Sequence, residues 1–301
     1  MKQPLFHKLP NGKVQRVQRH PMMQFLDDSE HDTLDPQLPA TAPSRVPTGS
    51  GQPHQVPELS ALDGSEVVIL GAGSVGSYVA YFMAGAFQAV VYLIDFDTVE
   101  AKNTQSGRSL YTPGSIGARK VYAAREFIES DFPHSKVVPL PYNIMEVPDG
   151  ELIRLARRCG VVINAIDDPT AMLRVNALLY SRIQVLYPAL HNGAKTGHII
   201  LTIPGKSACL RCSMEIEAPD EIQTLHGEPG SGLDIRNVAN HCANLACQLM
   251  EAQNQKQDIE EWDLEKTIFY FSNARNHLSP DGPGILLQAA QKRAGCPVCS
   301  L

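Results

Sequence analysis

The chain has 301 residues, of which 43% are hydrophobic and 19% charged, and its formal net charge is −6. A chain of this size can bury a large α/β core, as one domain or as a domain with an appendage. The negative charge argues against nucleic acid and other polyanionic partners. We expect neither a membrane span nor a signal peptide, because no apolar stretch has the required length or position. The seven cysteines fit a reducing, cytoplasmic setting, in which thiols and metal ligands are more common than disulfides.

The first 58 residues differ in composition from the rest of the chain. They hold nine of the 22 prolines and four of the ten histidines. Such a segment cannot easily form a packed core, so we expect residues 1–58 to be a proline-rich, largely flexible extension. Within it, Asn11-Gly12 lies between alternating residues of the stretch 5–19, which predicts a β-hairpin.

From residue 59 onward, short β-rich runs alternate with stretches of helical length. The predicted strands are 65–70, 89–95, 136–142, 160–166 and 183–189, and the predicted helices include 115–129 and 170–182. This alternation is typical of a doubly wound, mostly parallel sheet with helices on both faces. We therefore expect a Rossmann-like α/β domain over residues 59–301.

A glycine-rich turn follows the first predicted strand, in the sequence VVILGAGSVGSYVA. Gly71, Gly73 and Gly76 would leave the backbone open to a phosphate at the start of a helix. Asp95 ends the next predicted strand, where an acid can accept hydrogen bonds from ribose hydroxyls. The pattern indicates a nucleotide site, but by itself it favours NAD as readily as ATP, and glycines that serve only helix packing remain a third interpretation.

The residues after Asp95 favour ATP. Asp97, Asn103, Arg108 and Lys120 follow within a short span. Hydride transfer does not need so many cations and amides close to a dinucleotide. Attack on the α-phosphorus does need them, because negative charge grows on the pyrophosphate as it leaves.

The motifs G-A-G-S-V-G, D-F-D and N…R…K together resemble the ThiF/MoeB/E1 superfamily, the ATP-dependent enzymes that adenylate the C-terminal glycine of ubiquitin-like proteins. The resemblance implies that Asp95 holds the ribose, that Asn103 and Arg108 contact the phosphates, and that Lys120 stabilises the transition state. It also places Asp97 in the ATP site. The family usually spaces N-x-x-R, whereas Asn103 and Arg108 are five positions apart.

A second match to the family lies in VVINAIDDPTAMLRVN, where the family has a strand that ends in an aspartate for Mg-ATP. The resemblance places Asp167 at that position, and a buried acid beside phosphates would suit Mg²⁺, which prefers oxygen ligands. Adjacent acids at a strand end have another common role, because Asp168 or Thr170 could cap the following helix.

Two C-x-x-C pairs predict a structural zinc site, formed by Cys209, Cys212, Cys296 and Cys299. Four thiolates complete a tetrahedral site and leave no open position for catalysis. Redox use of the pairs is the competing interpretation. The segment PGKSACLRC paired with CPVC also resembles the superfamily, and it would join the C-terminal tail to the end of a predicted strand.

The other three cysteines bear on thioester chemistry, for which the family commonly uses a cysteine on the loop before its last core helix. Here that helix is predicted at 238–252, and the preceding loop 215–237 contains no cysteine. Cys242 is a possible nucleophile if it lies near the helix start, where thiolates are stabilised. The competing interpretation is that at least one of Cys242 and Cys247 is an ordinary core residue.

The sequence thus predicts an E1-like enzyme that uses Mg-ATP to adenylate the C-terminal glycine carboxylate of a ubiquitin-like or sulfur-carrier protein ending in Gly-Gly. The resemblance further implies a homodimer, with a conjugating enzyme as a possible partner. Two alternatives stay open. One is an NAD-dependent oxidoreductase, and the other is a ThiF-like binding protein with weakened catalysis.

Overall fold

The computed structural model describes residues 6–8, 14–16, 59–105, 107–191, 195–216, 230–255, 266–273 and 283–299. The chain divides into two compact units, Met1–Pro43 and Ser44–Leu301. In the first unit, β1 (Phe6–Lys8) pairs antiparallel with β2 (Val14–Arg16), as the hairpin prediction requires. The Asn11-Gly12 turn lies outside the described residues, and the predicted domain boundary after residue 58 stays a prediction.

The second unit is built on a mixed sheet. Its strands are β3 (Glu66–Leu70), β4 (Val90–Ile94), β5 (Lys136–Leu140), β6 (Val161–Asn164), β7 (Gln184–His191), β8 (Thr196–Thr202), β9 (Ile268–Ser272) and β10 (Gly284–Gln288). The spatial order is β10-β9-β8-β7-β6-β3-β4-β5. Pairing is parallel from β7 to β5 and antiparallel from β7 to β10. The predicted mostly parallel sheet is confirmed, and all five predicted strands are present.

The described helices lie on both faces of this sheet. They are α1 (Ser74–Ala86), α2 (Lys120–Asp131), α3 (Asp149–Cys159), α4 (Pro169–Leu179), α5 (Leu210–Ser213) and α6 (Gly232–Asn254). Helix α1 packs against α2 and α6, whereas α3 packs against α4, and α4 against α5. None of these helices has the length and apolar character to cross a bilayer.

Strand β3 shows why both faces must be covered. Side chains alternate between the two faces of a strand, so Val67 and Ile69 share one face and Val68 and Leu70 the other. All four are fully buried. Val67 and Ile69 belong to the core formed with α1, α2 and α6, while α3 packs on the strand from the other side.

Two helices begin at residues other than those predicted. Helix α2 starts at Lys120 rather than 115, because Pro113–Ser115 forms a separate 3₁₀ turn and Gly117 takes a left-handed φ of 90°. Helix α6 starts at Gly232 rather than 238, where the Ser231 side chain accepts a hydrogen bond from the backbone N–H of Asp234. Helix α6 is therefore six residues longer at its N-terminus than the family resemblance suggested.

The sheet reverses its winding between β3 and β6. The chain passes from β3 to β4 and β5 on one side, and then returns to place β6 on the other side of β3. Open α/β sheets bind ligands in the crevice at such a switch point, beyond the carboxyl ends of the strands. The glycine turn after β3 and the acids after β6 both lie at this point.

Candidate active site

A cavity of about 810 Å³ opens at the switch point, which is a usual size for a small-molecule site. Seven of the nine residues predicted for catalysis or ATP binding line it: Gly71, Gly73, Asp95, Asp97, Arg108, Lys120 and Asp167. The cavity lining does not include Gly76 or Asn103. The structure therefore brings together most of a site that the sequence had spread over about a hundred positions.

The three glycines of the turn have different reasons to be glycine. Gly71 has a left-handed φ of 92°, and a Cβ there would lie 2.8 Å from the carbonyl oxygen of Ala165. A Cβ on Gly76 would lie 2.0 Å from the carbonyl oxygen of Gly71, so Gly76 allows the helix to approach the strand. At Gly73 a Cβ would meet nothing within 4 Å. Gly73 therefore faces open space at the N-terminus of α1, where backbone N–H groups can bind an anion.

The carboxylate of Asp95 is held by the backbone around it. One oxygen accepts a hydrogen bond from the N–H of Ala72 at 2.7 Å and the other from the N–H of Asp97 at 2.7 Å. Burial raises the pKa of Asp95 above its usual range, while Lys120 and the two N–H donors oppose the change. Tyr111, which the sequence analysis missed, donates a hydrogen bond to the carbonyl oxygen of Ala72 at 2.6 Å. The glycine turn is thus fixed from both sides.

Lys120 is the first residue of α2 and is almost fully buried, with 8% of its surface exposed. Its Nζ lies 2.7 Å from Oδ2 of Asp97. The backbone N–H of Lys120 also donates to the carbonyl oxygen of Asp97 at 2.9 Å. Asp97 therefore holds the ammonium group at the cavity wall, where a phosphate could take over the contact.

Arg108 and Asn103, which the sequence analysis paired as phosphate ligands, are placed differently. Arg108 lines the cavity, and its buried Nε has no hydrogen-bond partner within the described part of the chain. A buried donor without a partner is costly, so an anion in the cavity would suit this group. The side chain of Asn103 instead accepts a hydrogen bond from the N–H of Glu100 at 2.8 Å and caps the 3₁₀ turn Ala101–Thr104. The structure does not bring that side chain to the cavity.

The two adjacent acids after β6 have separate positions. Asp168 caps α4, because its Oδ1 accepts a hydrogen bond from the N–H of Ala171 at 2.7 Å. Asp167 lines the cavity and is exposed there, rather than buried as the sequence analysis expected. The cap forms directly after the strand end, so Asp167 stays on the turn at the cavity mouth. A carboxylate in this position could hold a hard cation such as Mg²⁺.

A pair of histidines forms the far wall of the cavity. Nε2 of His191 and Nδ1 of His198 lie 2.8 Å apart, on the paired strands β7 and β8. Burial, and after it the neighbouring His191, lowers the pKa of His198 to about 3. His198 is therefore neutral at physiological pH. Its buried Nε2 has no hydrogen-bond partner among the described residues. This pair could not be predicted from the sequence, because the two positions come together only in the strand pairing.

The four predicted zinc ligands form a second site, away from the cavity. The sulfur atoms of Cys209, Cys212, Cys296 and Cys299 all lie within 4.8 Å of one another. The sulfurs of Cys209 and Cys296 are 3.7 Å apart and those of Cys212 and Cys299 are 3.4 Å apart. Four sulfurs about 2.3 Å from a tetrahedral zinc ion would be separated by roughly 3.8 Å. The cluster could therefore hold zinc as a knuckle.

Comparison with protein-family models matches residues 52–280 to the ThiF family. The chain belongs to the ThiF family. It is 27% identical over 177 residues to ubiquitin-like modifier-activating enzyme 5 of Culex quinquefasciatus, and this match covers 56% of this chain and 44% of that protein. It is 31% identical over 117 residues to molybdopterin-synthase adenylyltransferase of Escherichia coli, and this match covers 39% of this chain and 45% of that protein. The chain thus spans less than half the length of these curated relatives.

Solved structures show the same fold. The crystal structure of E. coli MccB with ATP has a TM-score of 0.59 and 20% identity, and the match covers 80% of this chain and 68% of that one. MccB in complex with N-formylated MccA has a TM-score of 0.62 and 17% identity, with coverage of 80% and 69%. The Rossmann-like fold expected from the resemblance is confirmed.

The position of Cys242 in this ThiF-family chain does not fit the reason for which it was considered a nucleophile. It lies in the middle of α6, because the helix starts at Gly232, and its side chain is fully buried in the core. Burial raises the pKa of the Cys242 thiol far above its ordinary value, which disfavours the thiolate. Cys247 is buried in the same core and lies 3.9 Å from the sulfur of Met83. The structure places both cysteines as core residues.

Proposed function

We propose that this ThiF-family protein uses Mg-ATP to adenylate the C-terminal glycine carboxylate of a ubiquitin-like or sulfur-carrier protein. The observation that carries the proposal is the convergence of Lys120, Arg108 and Asp167 on one cavity beside the glycine turn. An NAD site would need the turn and Asp95 but not these charges. The relatives named activating enzyme and adenylyltransferase support the same chemistry.

In the proposed reaction, a carboxylate oxygen of the partner attacks the α-phosphorus of ATP. The bond from the α-phosphorus to the bridging oxygen breaks, pyrophosphate leaves, and the partner becomes an acyl-adenylate. The carboxylate is ionised at neutral pH, so no general base is needed. Lys120 and Arg108 would offset the charge that grows on the leaving pyrophosphate, since both are held at the cavity wall before the reaction.

Asp167 would hold the magnesium ion of the substrate. Mg²⁺ is usually bound through one or two carboxylates and the substrate phosphates, and it neutralises charge on phosphate oxygens. Asp167 and Asp168 both line the cavity, but Oδ1 of Asp168 is engaged in the cap of α4, so Asp167 is the better candidate for the metal. Asp95 would accept hydrogen bonds from the ribose, for which it has lone pairs beyond those used by the two backbone N–H groups.

The proposal includes a structural role for zinc at the knuckle, a homodimer, and action in the cytoplasm with a conjugating enzyme as a possible downstream partner. The spacing of the four sulfurs supports zinc. The dimer follows from the family resemblance, and light scattering of the purified protein would test it. A mass of about one chain, 32.9 kDa, would contradict it.

ATP–pyrophosphate exchange tests the proposed activity. The assay would use a ubiquitin-like protein ending in Gly-Gly taken from the neighbouring genes, and the same protein lacking both terminal glycines as the control. We expect exchange with the first and none with the second. Tight ATP binding without exchange would favour the weakened binding protein. A nicotinamide absorbance change with any substrate would favour the oxidoreductase.

A further inference from the structure

The backbone on both sides of Arg108 is bound to one tyrosine. The hydroxyl of Tyr78 lies 2.6 Å from the carbonyl oxygen of Gly107 and 3.0 Å from the carbonyl oxygen of Ser109. Tyr78 lies on α1, two positions after Gly76, and is 4% exposed. The helix that begins at the glycine turn therefore also holds the loop that carries Arg108.

An arginine from a third element completes this contact. Nη2 of Arg236, on α6, donates a hydrogen bond to the Tyr78 hydroxyl at 2.9 Å, and the guanidinium lies 4.9 Å from the centre of the tyrosine ring. The hydroxyl thus accepts from Arg236 and directs its own proton toward the loop carbonyls. Gly107 has a φ of 63°, and a Cβ there would lie 3.1 Å from Nη2 of Arg236. A side chain at position 107 would therefore be strained by its left-handed φ and would crowd the Arg236 contact.

These contacts restrict the backbone that carries the Arg108 side chain. Its backbone neighbours are fixed in one orientation, and its buried Nε has no partner among the described residues while the side chain lines the cavity. A long arginine side chain loses rotamer freedom on binding, and a fixed backbone reduces the cost of aiming it. This arrangement also explains how the unusual Asn103–Arg108 spacing still delivers an arginine to the cavity.

We propose that Tyr78, supported by Arg236, is a positioning residue that aims Arg108 at the β- and γ-phosphates of ATP. The inference rests on the proposed function for the identity of the ligand. Tyr78 is not one of the residues that line the cavity, so its hydroxyl would act through the carbonyl groups of residues 107 and 109.

The test is calorimetric titration of the full chain with Mg-ATP and with AMP, which lacks the β- and γ-phosphates. Arg108→Met should weaken ATP binding about tenfold or more and AMP binding less than about twofold, as expected for a charge-assisted contact. Tyr78→Phe should weaken ATP binding about fivefold, which corresponds to one hydrogen bond, again without affecting AMP. In the Arg108→Met background, Tyr78→Phe should have no further effect on ATP.

Tyr81→Phe is the matched control. Tyr81 lies on the same helix, and its hydroxyl donates a hydrogen bond to Asp131 at 2.9 Å rather than to the Arg108 loop. The Tyr81→Phe variant should leave the ratio of ATP to AMP affinity unchanged. Arg236→Met provides a second variant if Tyr78→Phe does not fold, and it should change the ratio in the same direction.

The outcomes separate the two proposals. If Arg108→Met leaves ATP affinity unchanged, the phosphate role of Arg108 in the proposed function is wrong. If Arg108→Met weakens ATP binding but Tyr78→Phe leaves the affinity ratio at the wild-type value, the positioning role is overturned. The same follows if Tyr78→Phe weakens ATP binding as much in the Arg108→Met background as in the wild type.

Discussion

The cysteine knuckle and the cavity at the switch point are assembled in opposite ways. The knuckle brings together two short segments, with 83 residues between Cys212 and Cys296, and its four sulfur atoms lie within 4.8 Å of one another. The cavity takes its charged groups from turns at neighbouring strand ends, and backbone hydrogen bonds hold several of them. Changes at the knuckle should therefore affect stability first, and changes at the cavity should affect chemistry first.

The two sites are nevertheless connected through α4. Asp168 and the N-terminus of α4 lie at the cavity, whereas Asn176, on its last turns, accepts a hydrogen bond from the N–H of Leu210 at 3.0 Å. The hydroxyl of Tyr180 donates to the carbonyl oxygen of Ser207 at 2.5 Å. The knuckle segment thus packs on the far end of the helix that begins beside Asp167. Loss of the knuckle could therefore disturb the cavity through this helix, and also through Met214, which follows the knuckle helix and lines the cavity.

The largest expected effect is the loss of the metal. Cys212→Ser should abolish bound zinc and lower the free energy of unfolding by more than about 4 kcal/mol, since loss of a structural metal is among the most destabilising changes. Elemental analysis and urea unfolding would measure both. Cys159→Ala is the control, because Cys159 is buried on α3 outside the knuckle. Zinc retained at full stoichiometry in Cys212→Ser would contradict the knuckle.

The next effect in size is on catalysis. Lys120→Ala should reduce ATP–pyrophosphate exchange about 10²-fold or more, because it removes a fixed positive charge from the leaving pyrophosphate. Zinc content should not change. Lys102→Ala is a matched control, since Lys102 is an exposed lysine that pairs with Glu100. Unchanged exchange in Lys120→Ala, or an equal loss in Lys102→Ala, would remove Lys120 from the reaction.

These two regions also differ in how far the sequence could predict them. The glycine turn, Asp95 and the C-x-x-C pairs are local patterns that can be recognised from spacing alone, and Gly71, Gly73 and Asp95 do line the cavity while the four cysteines do cluster. Their roles in ATP and zinc binding stay predictions. Asp167 followed from the family resemblance. The position of the Asn103 side chain could not be predicted, because it can either face a phosphate or cap the local turn. Which contact forms depends on the conformation of that turn, and in the structure the side chain accepts from the N–H of Glu100.

What the sequence missed depends on pairing between distant elements. His191 and His198 meet only because Ala189 pairs with His198 across β7 and β8. Tyr78 reaches the Arg108 loop only when α1 packs beside it. No periodicity in either segment reports such contacts. The predicted start of α6 was also wrong, since the cap at Ser231 precedes the first apolar turn.

A smaller effect would show that the cavity wall also influences stability. His198 has a pKa of about 3 in the folded protein and about 6.5 when unfolded, so the unfolded chain binds a proton that the folded chain excludes. The free energy of unfolding should therefore fall as the pH drops below 6.5. Between pH 7 and pH 5 the fall should be about 2 kcal/mol larger in the wild type than in His198→Asn. Urea unfolding at the two pH values measures it, and equal pH dependence would contradict the lowered pKa.

The smallest expected effect concerns Cys242. It is a cysteine like the knuckle ligands, but it lies in the apolar core rather than beside other thiols. Its thiol is enclosed by the apolar core of α6 and has no nearby cation among the causes of its raised pKa, so the thiolate that a thioester requires is disfavoured. Cys242→Ala should keep exchange within about twofold and lower the free energy of unfolding by about 1 kcal/mol, since it deletes one buried atom. Non-reducing gels after incubation with ATP and the partner check for a thioester. A band of enzyme linked to its partner that disappears in Cys242→Ala would mean that α6 opens during the reaction. The reactive groups would then not be confined to the cavity, and the contrast between a stable core and a reactive cavity would be wrong.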